Sequence, residues 1–236
     1  MRADLALAAT LIANLLIPVF LAVWVAVSRA HTRLEAALVA LVAGTCILYL
    51  SRAGTVWSWV GNEWPYVFAA LYVAALVVLI LRVRQAPWWP SGRPGAWTQI
   101  AVLAFVVLIF GIQNVAVARA RSVSGPGVEL TFPLRGGRFE IVQGGNSRLL
   151  NHHYGEPGQR FALDIVALGP RGFRAHGLRP AALDQYQVFD MPVFAPCAGQ
   201  VIDLHDGIPD SLQPEDNPER LAGNYVTLFC DGHTIL

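Results

Sequence analysis

Four long apolar runs occupy the first half of the chain: Leu5 to Val27, Leu34 to Leu50, Trp64 to Leu81 and Trp97 to Val117. A helix needs about 20 predominantly apolar residues to cross the hydrocarbon core of a bilayer, and all four qualify, the second and third being the shortest. The first is read as a retained span: it exceeds the roughly 7 to 15 apolar residues of a secretory signal core, and no small-x-small cleavage site follows it. Asn14 and Pro18 lie inside it, which a bilayer helix tolerates when a neighbouring helix satisfies the amide and the freed backbone, with a modest kink at the proline. Trp57, Trp59, Trp64 and Tyr66 flank the second loop, and Trp88, Trp89 and Trp97 the third, as expected of rings that favour the headgroup layer.

Beyond Arg121 the pattern changes. Ser122 to Gly127 (SVSGPG) reads as a linker, and after it come short runs bounded by Gly and Pro: VELTFPL, RFEIVQ, RFALDIVAL, MPVFAP, GQVIDLHD and NYVTLF. Their Val, Ile, Phe and Leu content and their punctuation predict strands. Pro180 to Tyr186 is long enough for a helical turn or two. The predicted architecture is an all-α transmembrane bundle of four helices over residues 1–121, a linker over 122–127, and a mostly-β domain with an antiparallel sheet over 128–236.

Composition sharpens this division. With 55% hydrophobic and 14% charged residues and a mean hydropathy of +0.47, the chain is not a disordered, fibrous or ordinary soluble protein. The net charge of +1 hides two unlike halves: residues 1–121 carry 9 Arg against 3 acids, and residues 122–236 carry 8 Arg against 13 acids. Every basic residue is Arg, so lysine chemistry is excluded. Arg29, Arg33, Arg82, Arg84 and Arg93 fall in loops one and three, against Arg2, Arg52, Arg119 and Arg121 on the other side. This bias puts loops one and three in the cytoplasm and both termini outside, making a multi-pass membrane protein with an extracytoplasmic C-terminal domain. The chain has no G-x-x-x-x-G-K-[ST], no G-x-G-x-x-G opening a helix and no G-x-S-x-G, so nucleotide binding and α/β-hydrolase chemistry lack support. The acidic second half argues against nucleic acid as a partner.

Five of six histidines, His152, His153, His176, His205 and His233, lie in that acidic half, and imidazole with carboxylate is what a zinc site uses. Asn151-His152-His153-Tyr154 precedes Gln159-Arg160-Phe161-Ala162-Leu163-Asp164, placing histidines in a loop before a strand that carries a carboxylate. On the residues alone, the alternative is that Asp164 caps a turn and His153 is merely exposed.

Further on, Pro192-Val193-Phe194-Ala195-Pro196 with Gly199 and Val201, then an acidic turn, then Gly223-Asn224-Tyr225-Val226, resembles the core sheet of lysostaphin/LytM-type zinc metallopeptidases, which cleave peptide cross-links of bacterial cell walls. The likeness covers roughly residues 128–236. It implies that Asp164 is the zinc-binding aspartate. In the usual H-x-x-x-D pattern the histidine would stand where this chain has Arg160, which cannot bind a cation, so the chain resembles a variant branch in which N-x-H precedes Q-R-F-A-x-D. His153 is then the second ligand, with His152 or Tyr154 as its oriented neighbour. The family's downstream H-x-H is not found by Leu236. His233 sits at an Asp-Gly turn, too early for the motif, and is at most a replacement ligand; His176 and His205 read as surface loop residues. The chain to Leu236 is thus expected to form an incomplete zinc site and to lack hydrolytic activity. Cys197 and Cys230 belong to strands that the resemblance makes neighbours; outside the cytoplasm they either form a disulfide or remain two small buried thiols. Cys46 stands alone in the second span.

The expected function is a membrane-anchored zinc metallopeptidase acting on peptidoglycan if its site is completed, with lipid bilayer and cell-wall peptide as partners. One alternative is a non-catalytic module of the same fold that binds cell wall or regulates a partner hydrolase. Another is a small four-span transporter or scaffold.

Overall fold

The structure, a computed structural model, describes residues 2–54, 56–122, 127–209 and 223–236, with side chains from Leu7 onward. The centre of the expected linker, residues 123–126, and most of the acidic segment before Gly223 lie outside the described residues.

Four long helices form the first half: α1 (Arg2–Val27), α2 (Arg33–Ala53), α4 (Trp64–Val83) and α5 (Ala96–Ala120), with one short turn, α3 (Trp57–Val60), between the second and third spans. All four are long and apolar enough to cross a membrane. Helix α2 packs against α5, α1 and α4, and α1 packs against α4. Their shared core holds Val25, Val39, Ala43, Phe68 and Leu79, while Leu16, Phe20, Ile80, Phe105 and Leu108 point outward and exposed. A bundle apolar on both its inner and outer surfaces is the arrangement that lipid requires.

Several polar side chains of the bundle find partners locally or across helices, whereas the buried Asn114 Oδ1 has none. Asn14 Nδ2 donates to Thr10 O, 2.9 Å away in its own helix rather than a neighbouring one. Asn114 Nδ2 crosses from α5 to Thr45 O of α2 at 2.9 Å. The Tyr72 hydroxyl donates to Ala40 O at 2.7 Å, over Gly44, where a Cβ would stand only 2.5 Å from the hydroxyl oxygen. Pro18 is fully buried within an unbroken α1.

The end of the bundle at loops one and three is clasped by charge. Thr32 caps α2 by accepting from Glu35 N at 3.1 Å, and Glu35 reaches back to accept from His31 N at 2.8 Å. The first bond satisfies a donor that the first helical turn leaves open, and the second holds the chain that enters the helix. Glu35 is almost fully buried and pairs with Arg93 of the third loop. Arg33 donates to Ala86 O and Arg84 O, tying the same two loops together.

The second half carries the expected antiparallel pairing, among the described residues in two sheets: β1 (Arg138–Gln143) with β2 (Asp164–Leu168), and β3 (Gln200–His205), β4 (Tyr225–Cys230) and β5 (His233–Ile235) in that order. VELTFPL and MPVFAP do not become ladder strands. They meet through Thr131 N to Pro196 O at 2.7 Å and Phe194 N to Pro133 O at 2.8 Å, and the prolines in both runs remove the donors that a regular ladder needs. RFALDIVAL is strand only from Asp164, because Ala162 N closes a turn onto Gln159 O at 2.9 Å. Pro180 to Tyr186 contains a single 3-10 turn, Leu183–Gln185.

The β domain rests on the bundle end opposite loops one and three. Asn146 N donates to Ala120 O at the end of α5, and Arg174 N donates to Ser58 O in α3 at 2.7 Å. The first contact depends on Gly145, which has φ +117 and where a Cβ would approach Ala120 O to 2.6 Å. Only glycine combines that backbone with so close an approach. Arg174 lies 4.6 Å from the centre of the Trp59 ring, and Tyr186 meets the same ring edge-on.

Candidate metal centre

The site is built around a buried asparagine. Asn151 has no exposed surface, and its Nδ2 lies within hydrogen-bonding range of Gly145 O, Arg160 O and Ala162 O at 3.1 to 3.4 Å. Its Oδ1 accepts from His153 N at 3.0 Å, capping the 3-10 turn His152–Gly155. One side chain therefore pins the histidine turn to the segment that leads into β2. Across the strand pair, Gln143 is the ladder partner of Asp164, next to a register shift between Ile141 and Gln143. Such an irregularity re-aims the side chains beside it. Gln143 Oε1 also accepts from His152 N at 3.1 Å.

These constraints bring three groups together. His153 Nε2 lies 2.9 Å from Asp164 Oδ1. The His152 ring stands 3.8 Å from the His153 ring, centre to centre, and one ligand atom from each of His152, His153 and Asp164 falls within 4.8 Å of the others. Ligands on a tetrahedral zinc at about 2.0 to 2.2 Å stand about 3.3 Å apart, a separation that His153 and Asp164 approach and that lies inside the 4.8 Å spread of the three groups. His153 Nδ1 meets Gln159 Oε1 at 3.0 Å. With Nδ1–H donating to Gln159, the Nε2 lone pair would be directed to the side of Asp164, where a cation could be held. A second hydrogen bond of this kind fixes the ring of a ligating histidine. The donor set of two imidazoles and one carboxylate fits zinc.

Tyr154 faces elsewhere: its hydroxyl accepts from Arg160 Nη2 at 2.5 Å, and the guanidinium also lies over its ring. His233 opens β5 in the other sheet, paired with Cys230 and exposed, and does not join the cluster. His205 lies in β3 rather than a loop and stacks on Tyr225. His176 is exposed, 3.0 Å from the Gln187 amide. Cys197 and Cys230 are joined as a disulfide with Cα atoms 6.3 Å apart, and Cys46 is a free buried thiol. Sequence reasoning assigned no role to Gln143 or Gln159; nothing in local spacing marks an amide as the partner of a histidine two turns away. The chain matches no protein-family model, no curated protein and no solved structure, so the functional reading rests on the donor set and its surroundings.

Proposed function

We propose that the chain is a membrane-anchored protein whose extracytoplasmic β domain is of the LytM type and binds zinc through His152, His153 and Asp164 for hydrolysis of cell-wall peptide. The observation that carries this reading is the convergence of two imidazoles and a carboxylate on a turn held by a fully buried asparagine. Three protein ligands leave one coordination position for water, and zinc bound there would supply hydroxide near neutral pH and polarise a peptide carbonyl. The chain's own residues orient the site: Asn151 holds the turn, Gln159 holds the His153 ring, and Gln143 holds the His152 backbone. The disulfide supports an extracytoplasmic domain, since such bonds persist in oxidising compartments.

One observation favours a second reading, a binding module of the same fold. Among the described residues no further histidine or carboxylate joins the three, and hydrolysis needs a group to take a proton from the attacking water. Zinc titration of the full chain in neutral detergent, beside turnover of purified peptidoglycan, separates the two. The expected result is one zinc per chain, weakened about 10- to 100-fold by Gln159→Ala and more strongly by His153→Ala or Asp164→Asn. Zinc-dependent cleavage identifies the enzyme, and zinc binding without cleavage identifies the module. Equal zinc retention in Asp164→Asn and the parent chain would overturn the site.

A further inference from the structure

A cavity of about 540 Å³ lies between the bundle and the β domain. Its bundle wall includes Arg52, Trp57 and Arg121, and its β wall includes Glu140, Leu150 and Leu163. Arg52 belongs to the last turn of α2, and Arg121 directly follows α5, so the cavity begins where two spans leave the apolar layer. Arg121 Nη2 donates to Arg52 O at 2.7 Å, which holds its guanidinium against the main chain at the end of α2. Among the described residues neither side chain has a carboxylate partner. Two arginines lining one cavity at the edge of a bilayer, neither paired with a carboxylate among the described residues, attract an anion, and their planar forks match phosphate oxygens. Glu140 is the one acidic lining residue, and burial raises its pKa, against the pull of Arg174. Trp57, Leu150 and Leu163 supply an apolar lining beside the charges, and the volume falls in the range of small-molecule sites.

We infer that this cavity binds the phosphate group of an anionic amphiphile, with Arg52 and Arg121 on the phosphate and Trp57, Leu150 and Leu163 against the adjoining apolar portion. The inference rests on the four helices being membrane spans and is independent of the metal centre.

The test uses the full chain in neutral detergent, titrated separately with phosphatidylglycerol, phosphatidylcholine and inorganic phosphate, with retained ligand counted by native mass spectrometry. Phosphatidylglycerol is expected to bind in preference to the other two. Arg52→Gln should weaken it about fivefold, the weight of one basic side chain at an anionic surface, and Arg52→Gln with Arg121→Gln more. Arg52→Lys should restore most of the binding, which separates lost charge from a damaged fold. Arg82→Gln, at the opposite end of the bundle, should bind like the parent. Equal retention of phosphatidylglycerol and phosphatidylcholine, or indifference to both arginines, would overturn the inference. Inorganic phosphate binding as strongly as the lipid, with the same arginine dependence, would overturn the amphiphile and leave a site for a water-soluble phosphate.

Discussion

Glu140 lies on β1 with its Oε2 buried and no hydrogen-bond partner on that atom. Burial raises its pKa from the ordinary 4.5, while Arg174 pulls the other way and only partly offsets this. The folded chain therefore holds a proton on Glu140 over a pH range in which the unfolded chain has released it. Stability linked to this group is fully present below the unfolded pKa and is lost as pH rises through the folded one. Glu140→Gln, which cannot ionise, should therefore raise the melting temperature by a few degrees at about pH 8, with the difference closing near pH 4. Thermal unfolding of the two chains across that range is the measurement, and parallel curves would show that Glu140 ionises without cost. Nothing in the run RFEIVQ marks the glutamate as buried; its surroundings come from the Arg174 segment and from the bundle.

At the scale of elements, the β3–β4–β5 sheet has little packing to hold it. Val201, Ile202, Leu204, Val226 and Phe229 are all exposed, and the disulfide between Cys197 and Cys230 ties the segment just before β3 to the end of β4. Closing a loop with a sequence separation of 33 contributes roughly 3 to 4 kcal/mol in the chain-entropy model. Cys197→Ser should accordingly destabilise this sheet by a few kcal/mol and speed amide exchange over Tyr225–Cys230, leaving the four spans protected. Alkylation of the chain taken directly from cells is the companion measurement: Cys197 and Cys230 should label only after reduction. Ready labelling without reductant would remove both the stabilisation and the support it lends to an extracytoplasmic location. The strands β1, β3 and β4 were legible from alternation and turn residues, whereas the proline-bearing runs were not, because a run with strand-like side chains but missing N–H donors makes isolated bonds instead of a ladder.

For the whole molecule, apolar burial is concentrated in the bundle. Among described residues of the second half, the buried apolar side chains are Leu134, Val166, Ala167, Ala175 and Cys230, few for a domain of its length. The Arg174 and Asn146 backbone bonds and the packing of Tyr186 on Trp59 mean that the bundle supplies part of the support that a core would otherwise give. Residues 128–236 expressed alone should therefore lack a cooperative unfolding transition and bind a hydrophobic dye, as loosely packed states do, while the full chain in detergent unfolds cooperatively. A sharp transition in the excised segment would show that its own contacts suffice.

The four spans and the change to β structure after Arg121 could be read directly from the sequence, because crossing a bilayer depends on the length and apolarity of one continuous run, and strand class on local alternation and turn chemistry. The pairing of His153 with Asp164 was also within reach, since the two lie only 11 residues apart. Two other features were decided by tertiary structure: the seating of the β domain on the bundle end through Asn146 and Arg174, and the cavity that brings Arg52 beside Arg121 across 69 residues of chain. The same holds for the burial of Glu35 against Arg93, 58 residues away. In each case the partners belong to segments whose meeting depends on how helices pack and where loops close, and local pattern carries no record of that distance.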